Sequence, residues 1–263
     1  MNLFDSIRAL LSEGHTQQEV ADQLLISRGK LQRTLKKGKS PVRNTVLAIG
    51  DIHEPFSHPD YFEFIKDVAS VEGAHEFVFI GDIVDNHALS RYPSETQAFT
   101  VSQEGDAAAE ALAKWAAEFP KAKICRGNHD FRAHKIAKDY GIGDRYIKTM
   151  NEIYDLPSTW EWGDSHVIDE VLYIHGTEFG GKYAHVNAME RFMRSVVMGH
   201  THSNGGVQYR QTRDALLFGA QTGCGVDSEK YAFHYARGMP YKPTLGCVVV
   251  KDGKRAQFIP MEV

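Results

Sequence analysis

Cysteine is scarce in this chain: Cys125, Cys224 and Cys247 are spread thinly over 263 positions. They are too few and too scattered for a disulfide framework, and two of them lie in apolar, strand-like runs, so they read as small core side chains. Cys224, in TGCG, falls near the candidate site described below, with nothing to mark it as a nucleophile. Also missing is any apolar run of membrane-spanning length, and MNLFDSIRALL has neither the basic start nor the cleavage site of a signal peptide. The expected setting is cytoplasmic, without a membrane partner. Internal repeats and low-complexity tracts are absent too. The length suits one large domain plus a small one.

What is present is a concentration of metal-ligating side chains in five short segments: Asp51 and His53, Asp82, Asn128 and His129, His175, and His200 with His202. Four of these segments follow short apolar runs, TVLAIG, EFVFIG, VLYI and SVVMG, which read as buried strands. Ligands placed just after a strand lie at the carboxyl edge of a sheet, where open α/β sheets build their sites. Asp51 and His53 share one face if the chain stays extended, and His200 and His202 repeat the spacing. Carboxylate, imidazole and amide together suit Mn, Fe, Zn or Co better than Ca or a thiolate site. One carboxylate can bridge two metals, and a pair about 3.5–4 Å apart clamps both oxygens of a phosphoryl displacement. Asp82 is the candidate bridge.

GDIH (50 to 53), GDIVD (81 to 85), GNHD (127 to 130), HG (175 and 176) and GHTH (199 to 202) together resemble the calcineurin-like metallophosphoesterases, over roughly residues 44 to 263. All five blocks occur in the family's order. The resemblance implies an α/β fold, a two-sheet αββα sandwich, and two divalent metal ions, Mn first, with Fe, Zn, Ni or Co as other options. It implies Asp51, His53, Asp82 and His202 around one ion and Asp82, Asn128, His175 and His200 around the other. It leaves His129 as the catalytic histidine.

A phosphoester leaving group departs as an alkoxide, and a positioned imidazolium that protonates it contributes about 10²–10⁴-fold in rate. A carboxylate must hold that ring. Asp85 can reach the same pocket, and the resemblance implies that it pairs with His129. Asp130 is the second candidate; the plainer alternative is that it caps a helix starting at FRAHKIAKDY. In the protein phosphatases of this superfamily the motif reads GDxxDRG, with an arginine on the phosphate, whereas Asn86 and His87 follow Asp85 here, which weakens a protein phosphatase reading. Arg91, Arg126 or Arg132 can take over that contact, each with ordinary solvated surface as its bland alternative. Of the remaining histidines, His87 and His134 follow a motif closely enough to line the pocket.

Residues 1–43 form a different object. Leu3, Phe4, Ile7, Leu10 and Leu11 recur at helix spacing up to a break at Gly14, and Thr16 with Glu19 makes a capping box for a second helix bearing Val20, Ala21 and Leu24. After a turn at Ile26 and Ser27, RGKLQRTLKK places Leu31 and Leu35 inward. This resembles the all-α helix-turn-helix of phage and transposase regulators, with residues 28 to 37 in the recognition position. Eight basic residues against four acidic ones give this segment +4, leaving −8 for the rest of the chain. Arg28, Lys30, Arg33, Lys36 and Lys37 are the candidate DNA-binding residues, and a protein-docking module is the alternative. KKGKSPVRN, from Lys36 to Asn44, reads as a linker.

The expectation is therefore a two-metal phosphoesterase in the cytoplasm, the host's if phage-encoded, with DNA as partner and phosphodiester cleavage as reaction. Alternatives are a phosphomonoesterase for nucleotides or phosphoproteins, and a non-catalytic DNA-binding regulator. Further expectations are a long helix from Ser94 to Phe119, a returning strand KAKICR, and strands at VQYRQT, ALLFGA, LGCVVVKDG and RAQFIPM forming a second sheet.

Overall fold

The structure is a computed structural model that describes residues 3–38, 44–90, 98–230 and 242–262. The chain divides into two compact units, Met1–Arg43 and Asn44–Val263.

In the first unit, α1 (Leu3–Ser12), α2 (Gln17–Gln23) and α3 (Arg28–Gly38) enclose Ile7, Val20, Ala21 and Leu31, with Leu10, Leu11, Leu24 and Leu35 packed around them. Thr16 caps α2: its hydroxyl accepts from the Glu19 N–H while the Glu19 carboxylate accepts from the Thr16 N–H at 2.7 Å. Residues 39–43 of the expected linker lie outside the described residues.

The second unit is built on two mixed sheets. The first runs in the order β11-β10-β1-β2-β3-β4, with β1 (Thr45–Ile49), β2 (Glu76–Phe79), β3 (Ala122–Cys125) and β4 (Trp160–Gly163) parallel and β10 (Gly246–Lys251) and β11 (Arg255–Pro260) antiparallel. The second runs β5-β6-β7-β9-β8, with β6 (Val171–Ile174), β7 (Val196–Met198) and β9 (Leu216–Thr222) parallel, flanked by antiparallel β5 (Ser165–Ile168) and β8 (Gly205–Gln211).

Period-two alternation explains the layering. Val46 and Ala48 of β1, Val78 of β2 and Val248 and Val250 of β10 face the core shared with Val171, Tyr173, Val197 and Phe218 of the second sheet. Their neighbours Leu47, Ile49, Phe79, Cys247 and Val249 face the opposite way, onto Ile65 and Val68 of α4 (Tyr61–Glu72) and Leu112 and Trp115 of α5 (Val101–Glu118). On the far side, Leu172, Ile174, Val196 and Met198 pack against Val186 and Met189 of α8 (Ala184–Phe192). Strands buried on both faces read as continuous apolar runs. Each such side chain contributes about 1.5–3 kcal/mol.

Two expectations need correction. Helix α5 starts at Val101, where Thr100 and Gln103 form a capping box, and not at Ser94; residues 94–97 lie outside the described ones. LGCVVVKDG and RAQFIPM, as β10 and β11, join the first sheet beside β1, and only β8 and β9 join the second. Helices α6 (Arg132–Asp139) and α7 (Met150–Ile153) lie between β3 and β4 in the chain. No described helix is long and apolar enough to cross a membrane.

Candidate metal centre

Five of the parallel strands carry candidate ligands on the residues just past their carboxyl ends. Asp51 and His53 follow β1, Asp82 follows β2, Asn128 and His129 follow β3, His175 follows β6, and His200 and His202 follow β7. Side chains from both sheets therefore meet at one edge. Asp51, His53 and His202 form one group and Asp82, His175 and His200 a second, the candidate ligand atoms within each lying no more than 4.8 Å apart. The Asn128 amide oxygen is 3.1 Å from His175 Nε2, and Asp82 Oδ2 lies 3.2 Å from His175 Nε2 and 3.8 Å from His53 Nε2. Asp82 thus stands between the two groups.

The motif glycines have a steric reason. A Cβ at Gly127 would fall on the Asp82 carboxylate, and one at Gly199 on the Asp51 carboxylate. Gly81, at φ +99, passes within 2.9 Å of His175 Nδ1 at the position a Cβ would take. His53, Asp82 and His200 themselves have left-handed backbones, with φ of 51, 48 and 68. Side chains rarely tolerate this region, and it recurs where the surrounding structure holds a functional residue in place.

Outer contacts aim the ligands. His175 Nδ1 is 3.0 Å from the Ile80 carbonyl and His53 Nδ1 is 2.7 Å from Asp85 Oδ1, which turns both Nε2 atoms into the cleft. His200 N–H donates to Asp51 Oδ2 at 2.9 Å.

These residues fit a pair of divalent cations. Asp51 Oδ1 is buried without a hydrogen-bond partner among the described residues, and His53 Nε2 and His202 Nε2 face each other at 3.1 Å. Burial pulls the His175 imidazole down, but Asp82 beside it outweighs that and pushes it up to about 10. Burial pushes the Asp82 carboxyl up, and His175 and His129 outweigh it, leaving it well below the usual carboxylate range. Buried carboxylates that draw protons onto neighbouring imidazoles are a site short of positive charge, which a metal supplies.

His129 sits beside this cleft. Its Nδ1 is 2.8 Å from Asp85 Oδ1 and its Nε2 is 4.0 Å from Asp82 Oδ2. Burial pulls the ring down, Asp82 and then Asp85 outweigh it, and the net direction is up. Arg132 closes the arrangement: its guanidinium donates to the Asp85 and Asn86 carbonyls at 3.0 and 3.1 Å and lies 3.1 Å from His129 Nε2. That last contact requires an unprotonated Nε2, so it opposes the upward shift while the guanidinium remains there.

Asp130 does neither of the things expected of it. Its buried carboxylate accepts the N–H groups of Asp82, Ile83, Val84 and Gly127 at 2.8, 2.8, 3.2 and 2.9 Å, so it lies away from His129, and Phe131 is the N-cap of α6. Burial and the charge of Asp82 push its carboxyl up, to about 7. Four converging donors suit an anion, however, and they make Asp130 the tie between the loops that carry Asp82 and Asn128.

Of the other candidates, His87 Nδ1 is 3.8 Å from Asp85 Oδ2, and Arg126 is exposed and paired with Asp164 at 3.3 Å. Arg28 and Lys30 are exposed on α3. The side chains of Arg33, Lys36 and Lys37, and all of Arg91, lie outside the described residues. Cys224 is buried, which pushes its thiol up and keeps it protonated. Two features escaped the sequence reading: the Ile80 carbonyl, a backbone group without a motif, and Lys135 and Lys138 on α6, whose signal was the basic and aromatic run FRAHKIAK directly after GNHD.

The family model for calcineurin-like phosphoesterases matches residues 45–227, and the chain belongs to that family. No curated protein matches it. Among solved structures it is similar to vacuolar protein sorting 29 from Cryptosporidium parvum, at 11% identity and TM-score 0.43 over 84% of this chain and 99% of that one. It is also similar to Yfce, a phosphoesterase from E. coli, at 17% identity and TM-score 0.39 over 78% and 87%. A third is zinc-complexed Vps29 from Entamoeba histolytica, at 10% identity and TM-score 0.38 over 82% and 98%.

Proposed function

We propose that the chain is a two-metal phosphoesterase that cleaves phosphodiester bonds in nucleic acid, DNA first. The observation that carries the catalytic part is the convergence of seven ligand side chains from two sheets beside a carboxylate-paired histidine. Asp51, His53, Asp82 and His202 would hold one ion and Asp82, Asn128, His175 and His200 the other. When bound, such ions supply Lewis-acid stabilisation of the phosphate and activation of the attacking water.

The chain's own residues do the rest. Asp85 orients His129 and sustains its protonated form, so that Nε2 can give a proton to the departing oxygen. Entry of the substrate displaces Arg132 from Nε2 onto a phosphate oxygen, where a guanidinium binds by paired hydrogen bonds. Metal-dependent turnover of bis-p-nitrophenyl phosphate against p-nitrophenyl phosphate, followed by labelled DNA, tests this. Cleavage of monoesters alone sinks the diesterase reading.

The DNA preference draws on residues 1–43, read as a helix-turn-helix in which α3 is the recognition helix. Arg28 to Lys37 hold five basic residues and no acid. Reversing Arg28 and Lys30 should weaken DNA binding and flatten its salt dependence by about 0.9 per lost contact. Unchanged affinity would mean that the helices serve a protein partner instead.

A further inference from the structure

A concave groove of about 730 Å³, within the range that holds a nucleotide-sized ligand, runs along α6. Its lining includes Arg126, Phe131, Lys135, Lys138, Lys148 and Trp162. Arg126 and Phe131 flank in the chain the loop Gly127–Asp130, which carries Asn128 and His129.

Charge is unevenly spread here. Residues 121–148 carry eight basic side chains against three acidic ones, a net +5, inside a unit whose total is −8. Aromatic faces are set among those cations: Phe131 packs edge-on to Trp162 at 5.7 Å, and Arg126 lies over the Phe131 ring at 5.0 Å. His134, also in the lining, has a buried Nδ1 with no hydrogen-bond partner among the described residues. Beyond the groove, Tyr140 and Tyr146 are about four-fifths exposed, at 82% and 80%.

We propose that this groove is a binding track for single-stranded nucleic acid that leads the strand into the metal cleft. Lys135, Lys138 and Lys148 take backbone phosphates, and a base stacks on Trp162. Cations alone would accept any polyanion. The aromatic faces narrow the choice, because only an unpaired base exposes a face to stack on, and a duplex hides it. The proposal rests on the nucleic-acid reading of the function and names the strand form that the site takes.

Tryptophan fluorescence reads this out locally. The chain has three tryptophans, and Trp115 and Trp160 are each 1% exposed, so a base that quenches emission on binding does so at Trp162. Residues 1–43 contain no tryptophan, so binding there is silent. Full-length protein in EDTA, titrated with a short oligothymidylate, should show saturable quenching with a steep salt dependence. Lys135→Gln with Lys138→Gln and Lys148→Gln should weaken binding at least tenfold and lower the log–log salt slope by about 2, at about 0.7 per contact on a single strand.

These lysines lie on the surface, so the triple variant keeps the test open even if Trp162→Ala fails to fold. Absence of quenching, or equal affinity in the triple variant, overturns the proposal. So does equal competition by a duplex of the same length, or by a phosphopeptide, which would make the groove a protein-docking site. Turnover of bis-p-nitrophenyl phosphate by the wild type is scored separately. Quenching without turnover leaves the track standing and the catalytic reading fallen, and turnover without quenching does the reverse.

Discussion

The metal cleft takes Asn128 and His129 from the loop 127–130, the groove along α6 takes Arg126 and Phe131 from either side of that loop, and the two are built in opposite ways. In the cleft, buried carboxylates and imidazoles are fixed by left-handed backbones, by glycines that leave room for Asp51 and Asp82, and by the four N–H groups that Asp130 gathers. In the groove, exposed lysines and half-buried rings sit on one helix and its neighbours, and Trp162 Nε1 donates to Asn151 Oδ1 at 2.8 Å. Chemistry needs positions held to fractions of an ångström, whereas attraction of a polyanion needs only charge on a surface. Substitutions in the cleft should therefore act as switches, and those in the groove as graded adjustments.

The largest effect is expected from Asp82→Ala, which removes the side chain standing between the two ligand groups. Metal content and phosphoesterase turnover should be lost together, as read by elemental analysis and a chromogenic ester assay. His129→Ala should separate the two. Metal content stays, while the rate on esters with poor leaving groups drops about 10²–10⁴-fold and the rate on p-nitrophenyl esters drops less.

Next come the supports. Gly127→Ala drives a Cβ into Asp82, and overpacking of this kind costs about 1–3 kcal/mol. Asp130→Asn replaces an acceptor of four N–H groups by an amide that can accept with only one of its two heavy atoms, and each unmade bond costs about 1–3 kcal/mol. Both should lower Tm and weaken metal binding about 10–100-fold, as outer-shell changes do. A Gly127→Ala protein with unaltered metal affinity would show that the close approach is not needed.

The last effect concerns pH and belongs to metal-free protein alone. In metal-free protein the His175 imidazole is raised to about 10 from 6.5. A raised group stabilises the fold fully below its unfolded value and loses that contribution as pH rises through its folded value, so the unfolding free energy of stripped protein should fall between about pH 6.5 and 10, by at most about 1.4 kcal/mol per unit, and Tm should fall with it. His175→Asn should remove this slope, and so should metal loading, because the metal takes the proton's place.

The same contrast explains what was legible in the sequence. Strands β1, β2, β6 and β7 could be read because each is a short apolar run ending in glycine or a ligand, and the five ligand segments carry their chemistry in their residue types. Strands β4 and β5, WEWG and SHVI, lack such runs. The sheet membership of β10 was hidden because it pairs with β1 across some two hundred residues, as Ile49 opposite Cys247 illustrates. Asp130 misled because an Asp before a helix has the look of a cap, while its true partners come from a loop 46 to 48 residues earlier. The groove went unread because lysines on α6, a ring on β4 and Lys148 before α7 come together only in three dimensions.

As proposed, the cleft is a two-metal phosphodiesterase centre. Its most direct test is turnover of bis-p-nitrophenyl phosphate by protein whose content of two divalent ions per chain has been established by elemental analysis, across Mn, Fe, Ni, Co and Zn. Metal-dependent diester cleavage that Asp82→Ala abolishes is the expected result. A folded protein holding both ions and giving no turnover with any of these metals would contradict it and leave the cleft a binding site without catalysis.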